Sequence, residues 1–196
     1  VDEKGAIKNE VSKEYPLFFP HPGWSEQSAM GWWKACLDGI PELLKGFDAN
    51  EVVGIGSGGQ MHGLVTLDKD DNPIRPAILW NDGRTGEETE YLNNVIGKEK
   101  LSKLTANIAF AGFTAPKILW LKKHENEHFR KISKIMLPKD YINYRLTGNY
   151  TTDYSDASGT LLLDVKNKKW SNAMLEKIGI NENQLPHIYE SYEVVA

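Results

Sequence analysis

Apolar positions recur along the chain with a period that changes from segment to segment, and the changes divide it into elements. Met30, Trp33, Leu37, Ile40 and Leu44 are separated by 3, 4, 3 and 4 residues, which places them on one face of a helix. Gly39 and Pro41 fall inside this pattern and predict a kink or an interruption there. Glu51 to Ser57, built on Val52, Val53 and Ile55, reads as a strand, Gly63 to Asp68 as a second and Arg75 to Trp80 as a third. The polar run Asp68-Lys69-Asp70-Asp71-Asn72-Pro73 is a turn of the kind that joins adjacent strands. Three strands with short links predict an antiparallel portion of a sheet.

Helical signals dominate further on. Thr85-Gly86-Glu87-Glu88 has the capping-box spacing and predicts a helix to about Ile96, closed by Gly97. Thr114-Ala115-Pro116-Lys117 opens another, since proline is tolerated in a first turn, with Ile118, Leu119 and Leu121 on its apolar side. Ile132 to Leu137 reads as a short buried strand, Pro138 to Leu146 as a helix ended by Gly148, and Asn149 to Ser158 as a polar, turn-rich stretch. Thr160 to Asp164, Lys168-Lys169-Trp170, a helix from Asn172 to Ile178 and a polar C-terminal stretch complete the chain. Paired strands followed by interleaved helices predict an α/β fold with a mixed sheet flanked by helices.

The beginning fits that picture poorly. Residues 1–15 read as two extended segments around the turn Asp2-Glu3-Lys4-Gly5, and the outgoing strand has no earlier neighbour to pair with. A missing preceding segment is therefore expected. Pro16 to Gly23, with three prolines and a glycine, is a connector.

Composition narrows the class. A chain of 196 residues can bury one good-sized core, and 40% hydrophobic with 26% charged residues is ordinary for a soluble globular protein. No run approaches the roughly 20 apolar residues of a membrane helix, and Val1-Asp2-Glu3-Lys4-Gly5 has no signal-peptide pattern, so a cytoplasmic protein with no membrane partner is expected. A net charge of −4 argues against a nucleic-acid partner, because phosphate backbones are held by basic surfaces. The single Cys36 excludes an internal disulfide, and beside Trp33 and Leu37 it reads as a packed thiol. Lys122-Lys123 and Lys166 to Lys169 read as solvated faces.

Candidate chemistry concentrates around residues 54–63. Gly54-Ile55-Gly56-Ser57-Gly58-Gly59 satisfies the dinucleotide-binding G-x-G-x-x-G pattern, but that mechanism needs a helix N-terminus immediately afterwards. The β-type run Leu64-Val65-Thr66-Leu67 follows instead, which leaves a dinucleotide oxidoreductase a distant reading. His62 sits at the junction of two predicted strands with glycines on both sides, where a ligand or another backbone can approach closely. A ligand role and a hydrogen-bonded structural role are both open to it. His124 and His128 are four apart but lack a third metal ligand nearby in sequence, and read as a solvated helix face. Asp82 follows the strand ending at Trp80, where its carboxylate could accept bonds from hydroxyls or, with Arg84, hold the turn. Asp153 and Asp156 are explained by side-chain to backbone bonds in a turn.

These residues also carry a family likeness. Gln60-Met61-His62-Gly63, the run Pro76 to Thr85 containing Leu79-Trp80-Asn81-Asp82-Gly83-Arg84, Pro22-Gly23-Trp24-Ser25-Glu26-Gln27, Gly112 to Leu121 and Asp153 to Ser158 resemble parts of the N-terminal domain of the FGGY carbohydrate kinases. The resemblance implies an actin-like, ribonuclease-H-like domain, incomplete at both ends, with residues 1–196 as part of the sugar-binding domain and the C-terminal nucleotide domain absent. It implies an enzyme, a phosphotransferase that phosphorylates D-xylulose to D-xylulose 5-phosphate with Mg-ATP as cosubstrate. Met61 and His62 would be the sugar-contacting pair, with Gln60 and Asp82 beside it. The Met-His choice implies a ketopentose, since glycerol-using relatives have an Arg-Glu pair there, and Gly112 stands where those relatives have a tyrosine.

Two family features have no counterpart in the sequence: the Asp-x-Gly-Thr phosphate-binding hairpin and the loop bearing the catalytic aspartate. The resemblance implies that this catalytic base follows Ala196. No catalytic residue, metal ligand or bound cofactor is therefore expected in this segment, which alone should be inactive. A small-molecule sugar is the expected partner, and a homodimer is compatible with the likeness. The alternatives are a kinase of another pentulose, polyol or sugar acid, and a non-catalytic sugar-binding module.

Overall fold

The run Leu64-Val65-Thr66-Leu67 is apolar at nearly every position because both faces of its strand are covered, and all four residues are buried. A computed structural model describes residues 1–196. Its strands are β1 (Glu26–Gln27), β2 (Val65–Leu67), β3 (Ala77–Ile78), β4 (Lys134–Met136), β5 (Thr151–Asp153), β6 (Leu163–Asp164), β7 (Lys169–Trp170) and β8 (His187–Tyr189). Its helices are α1 (Ala29–Leu43), α2 (Gly86–Glu90), α3 (Lys98–Thr105), α4 (Thr114–His124), α5 (Asn126–Lys131), α6 (Pro138–Thr147), α7 (Tyr154–Ser158) and α8 (Asn172–Ile178). No helix is long and apolar enough to cross a membrane.

The expected single mixed sheet is replaced by four two-stranded ladders, β1 with β3, β2 with β4, β5 with β8 and β6 with β7. Only β5 and β8 run parallel. An antiparallel bridge between Leu64 and Ile78 joins the first two ladders, so β1, β3, β2 and β4 lie side by side. Alternation across these strands separates two apolar clusters. Leu64, Ile78 and Ile135 point into the larger one, with Ile118 and Leu121 of α4 and Met174 and Ile178 of α8. Val65, Leu67, Ala77, Leu79 and Met136 point into the smaller, with Trp32 of α1 and Tyr141 of α6.

Several elements differ from the sequence reading. Glu51 to Ser57 is not a strand: Ala49–Glu51 form a single 3₁₀ turn, and Val53 and Ile55 lie exposed. Its residues are apolar enough, but no neighbouring strand exchanges hydrogen bonds with them, and a ladder requires one. Residues 1–15 likewise form the expected turn, with Gly5 N–H on the Asp2 carbonyl at 2.9 Å, and no strand. Helix α1 continues through Gly39 and Pro41 to Leu43. Its buried residues are Ala29 and Trp32, whereas Met30 and Leu37 of the expected face are exposed. The stripe is real, but its core-facing edge lies one residue to the side.

The capping box at Thr85 is not formed. Its hydroxyl donates instead to the Ala111 carbonyl at 2.9 Å, because Thr85 is fully buried against the segment leading into α4. The helix from Gly86 winds as a π-helix over Tyr91–Gly97, Gly97 breaks it at a φ of 99°, and α3 begins at once, an element the sequence reading lacked. The stretch Asn149 to Ser158 is β5 and α7, and the polar C-terminal stretch contains β8, which pairs with β5. Beyond β8 the chain runs without regular structure to Ala196, which is exposed. Helices α4, α6 and α8 occur where predicted, with Gly148 closing α6 in the left-handed region.

Candidate functional site

The loop 56–63 arrives at β2 by packing on the first turn of α6. A Cβ on Gly63 would stand 2.6 Å from the Pro138 ring, so only glycine admits that contact. A Cβ on Gly59 would meet the Lys139 side chain at 3.3 Å, while Gly54, Gly56 and Gly58 face open space. The glycines nearest His62 thus admit the chain's own helix. No helix follows Gly59, and the dinucleotide geometry is absent.

His62 occupies the left-handed region at φ 61°, a strained setting for a residue with a Cβ. The first turn of α4 holds it there, since the His62 carbonyl accepts bonds from Thr114 Oγ1 at 3.2 Å and Lys117 Nζ at 2.9 Å. The imidazole, partly exposed, lies with its centroid 4.6 Å from that of Phe113, and Phe113 in turn meets Phe110 at 5.3 Å. Its other side rests on Gly159, and Nδ1, buried there, completes no hydrogen bond. Burial, and then the nearby Lys117 ammonium, hold its pKa below the ordinary histidine value, so the ring is neutral at neutral pH and offers one donor and one acceptor nitrogen. Met61 is exposed beside it. Phe110 and Trp80 are also half exposed, and the Trp80 carbonyl is so close to Gly112 that a Cβ there would approach within 2.5 Å.

The other two expected site residues are tied into the framework. Gln60 donates from Nε2 to Gln27 Oε1 at 3.0 Å, and that oxygen also accepts the Trp32 indole N–H at 3.2 Å. Asp82 is buried, with its carboxylate fully engaged. Oδ2 accepts Ser25 N–H at 2.6 Å and Arg84 Nη2 at 2.7 Å, and Oδ1 accepts Arg84 N–H at 3.0 Å and Nε at 2.9 Å. Arg84 extends this network to Glu26 at 2.6 Å, and its guanidinium lies 3.7 Å from the centroid of Trp24. Of the two readings of Asp82 and Arg84, the turn-holding one describes their contacts.

Two lysines, not singled out as site residues from sequence, organise the surroundings. Lys117, fully buried, donates to the carbonyls of His62 and of Gly112, the latter at 2.6 Å. Desolvation lowers its pKa to about 7. Lys139 lies 2.8 Å from Asp140, 2.8 Å from Asp153 and 3.5 Å from Asp156. Burial opposes its charge, but the carboxylates of Asp140 and Asp153 outweigh burial and raise its pKa. Asp153 also caps α7 by accepting the Asp156 N–H at 3.0 Å, as the turn reading expects, although both carboxylates face Lys139 as well. A usable signal existed: each lysine lies in the first turn of its helix, where the helix dipole disfavours a cation unless acceptors compensate.

A pH test follows for Lys117. It binds its proton up to roughly pH 10 in the unfolded chain and only to about pH 7 when folded. Between these values the unfolded state carries more protons, so stability rises with pH. Denaturation midpoints measured from pH 7 to 9 should climb in the natural protein, and this increment should vanish in Lys117→Met. An identical slope in both proteins would exclude a depressed lysine.

The remaining sequence expectations are placed as follows. Cys36 is partly buried in α1, and burial raises its pKa, as suits a packed thiol. His124 and His128 lie on separate helices; His124 stacks on Trp120 at 5.1 Å, and His128 Nδ1 meets Glu125 at 2.8 Å. A cleft of about 380 Å³ lies between α1, α6 and the segment around Val11 to Tyr15, and reaches Gln60 and Lys139 without including Met61 or His62.

Comparison with known proteins bears on this arrangement. A family model described as the FGGY family of carbohydrate kinases, N-terminal domain, matches residues 1–196. A xylulose kinase of Staphylococcus xylosus is 42% identical over 193 residues, covering 98% of this chain and 40% of that protein. Among solved structures, a gluconate kinase from Lactobacillus acidophilus matches with a TM-score of 0.93 at 29% identity, covering 100% of this chain and 39% of its own. A ligand-bound xylulose kinase from the same organism matches with a TM-score of 0.88 at 29% identity, covering 96% and 38%. The chain spans about two fifths of the length of the curated relatives it matches, 40% in the first two.

Proposed function

The chain belongs to the FGGY family of carbohydrate kinases, and from that premise we propose that the protein transfers the γ-phosphoryl group of Mg-ATP to a hydroxyl of D-xylulose, with residues 1–196 supplying part of the sugar floor. The observation that carries the proposal is the setting of His62: a strained backbone, a neutral imidazole packed on Phe113 and Gly159, and an exposed Met61 beside it. Strain of this kind persists only where the surroundings enforce it, and it collects at ligand sites. A sugar presents C–H faces to a thioether and an aromatic ring, and a hydroxyl to the imidazole nitrogen that is not buried against Gly159. Met61, His62 and the exposed edge of Phe110 offer that combination.

In this reading Met61 and His62 contact the sugar. Gln60 steadies the loop through Gln27, and Asp82 holds the turn after Trp80 in place. The acceptance of the hydroxyl proton, the binding of the triphosphate and of magnesium, and the exclusion of water by domain closure are the tasks such a reaction sets. We assign none of the first two to residues 1–196. The proton acceptor belongs, in this reading, to family sequence that follows the position of Ala196, and Asp82, Asp153 and Asp156 do not replace it, because Arg84 and Lys139 engage their carboxylates. The family's actin-like architecture, with this segment as part of its sugar-binding half, is the corresponding reading of the fold.

The identity to a xylulose kinase favours a ketopentose, whereas in fold the gluconate kinase scores higher than the ligand-bound xylulose kinase, 0.93 against 0.88. A panel of D-xylulose, D-ribulose, D-gluconate and glycerol, assayed with the whole protein by coupled ADP release, separates them. D-xylulose should show the highest kcat/KM. A preference for gluconate or glycerol would overturn the assignment of substrate while leaving the kinase reading intact, and binding without turnover would indicate a sugar-binding module.

A further inference from the structure

Glu88, the third residue of α2, is 5% exposed, and neither of its carboxylate oxygens has a hydrogen-bond partner. A buried carboxylate without donors is costly, because its lost hydration is not replaced. The nearest nitrogen groups are beyond bonding reach: His124 Nε2 lies 3.6 Å from Oε1, and Lys123 Nζ lies 3.9 Å away. Lys123 is committed to the neighbouring Glu87, at 2.5 Å. Glu87, Glu88 and His124 thus bring two carboxylates and an imidazole together, with their donor atoms all within 4.8 Å of one another.

We propose that Glu88, His124 and Glu87 form a binding site for a divalent transition-metal cation, zinc in the first instance, away from the sugar floor at Met61 and His62. Oxygen and nitrogen donors of a tetrahedral zinc centre lie about 3.4 Å apart when each is at its usual bond length, and the Glu88 and His124 atoms already stand at 3.6 Å. Glu87 is the mobile ligand. Its side chain is 78% exposed and exchanges Lys123 for the metal by rotation alone. The imidazole selects zinc over magnesium or calcium, which prefer all-oxygen shells. Stacking on Trp120 fixes the His124 ring, and Trp120 is itself in contact with Arg84, 4.8 Å from its centroid. The two helices that carry the ligands, α2 and α4, are thereby clasped where the chain passes from the Asp82 turn into the larger core.

The test titrates zinc chloride into the whole protein, stripped with chelator and free of nucleotide, by calorimetry. One zinc per chain is expected, together with an upward shift of the thermal midpoint. His124→Ala and Glu88→Gln should each weaken binding at least tenfold, and Lys123→Ala should tighten it by removing the competing ammonium. Glu88→Gln should also raise the stability of the metal-free protein, since an amide is cheaper to bury than an unpaired carboxylate; His124→Ala, at a half-exposed position, carries the affinity test should the glutamine variant fold poorly. Absence of zinc binding, or affinity unchanged in His124→Ala, would overturn the proposal.

Discussion

Asp82→Ala is expected to destabilise the protein by about 3–5 kcal/mol, the cost of breaking a buried ion pair from one side. The carboxylate accepts four hydrogen bonds, three of them from Arg84, and the Arg84 side chain is only 1% exposed. Removing Asp82 leaves a guanidinium buried against Trp24 with Glu26 as its remaining counter-charge. It also frees the Ser25 N–H, so that the segment entering β1 and the turn after Trp80 are held together only by backbone bonds such as Gly83 N–H to the Gly23 carbonyl at 2.9 Å. Asp82→Asn should recover little, because an amide cannot accept on both sides as the carboxylate does. Urea denaturation checks this: the midpoint should fall with an unchanged slope. If Asp82 were instead a sugar ligand with no framework role, Asp82→Asn would weaken D-xylulose binding at unchanged stability.

The second expectation concerns the proposed sugar floor and uses a residue outside the proposed contacts. At Gly159→Ala the new methyl group would overlap His62 Cε1 and lie 2.6 Å from Nδ1. The backbone at Gly159, with φ −80°, accepts alanine without strain, so the whole effect falls on the imidazole. Phe113 also packs on the ring, at 4.6 Å between centroids, so the imidazole must shift from its place to make room. The KM for D-xylulose should rise by roughly tenfold or more, the loss of about one good hydrogen bond, while the KM for ATP changes little. His62→Ala should reproduce this profile. Equal loss of sugar and nucleotide affinity in both variants would make His62 a structural residue.

Local patterns made much of this legible. The α4 start at Thr114-Ala115-Pro116 and the close of α6 at Gly148 depend on neighbours a few residues away, and both were readable. The capping box at Thr85 was equally well formed in sequence and yet absent, because burial gave its hydroxyl the Ala111 carbonyl, a partner 26 residues distant. Val52, Val53 and Ile55 illustrate the same limit: apolarity nominates a strand, but a ladder is a property of two segments. At the candidate site, Met61 and His62 were nominated by motif, whereas the lysines that shape it carried only their first-turn placement as a signal, and the partners they reach were not readable. Lys117 reaches His62 across 55 positions, and Lys139 gathers Asp153 and Asp156 from the start of α7.

The sequence by itself determined the family and the order of most helices and nominated Met61 and His62 as candidate sugar contacts, since each rests on residue types at short, fixed spacings. Only the tertiary structure decided that the glycines beside His62 admit helix α6, that Asp82 is consumed by Arg84, and that Glu88 is left buried beside His124 without a bond. The reason is physical. Propensity and spacing are local, but desolvation, ion pairing and close approach depend on which distant segments share a volume, and no window along the chain contains that information.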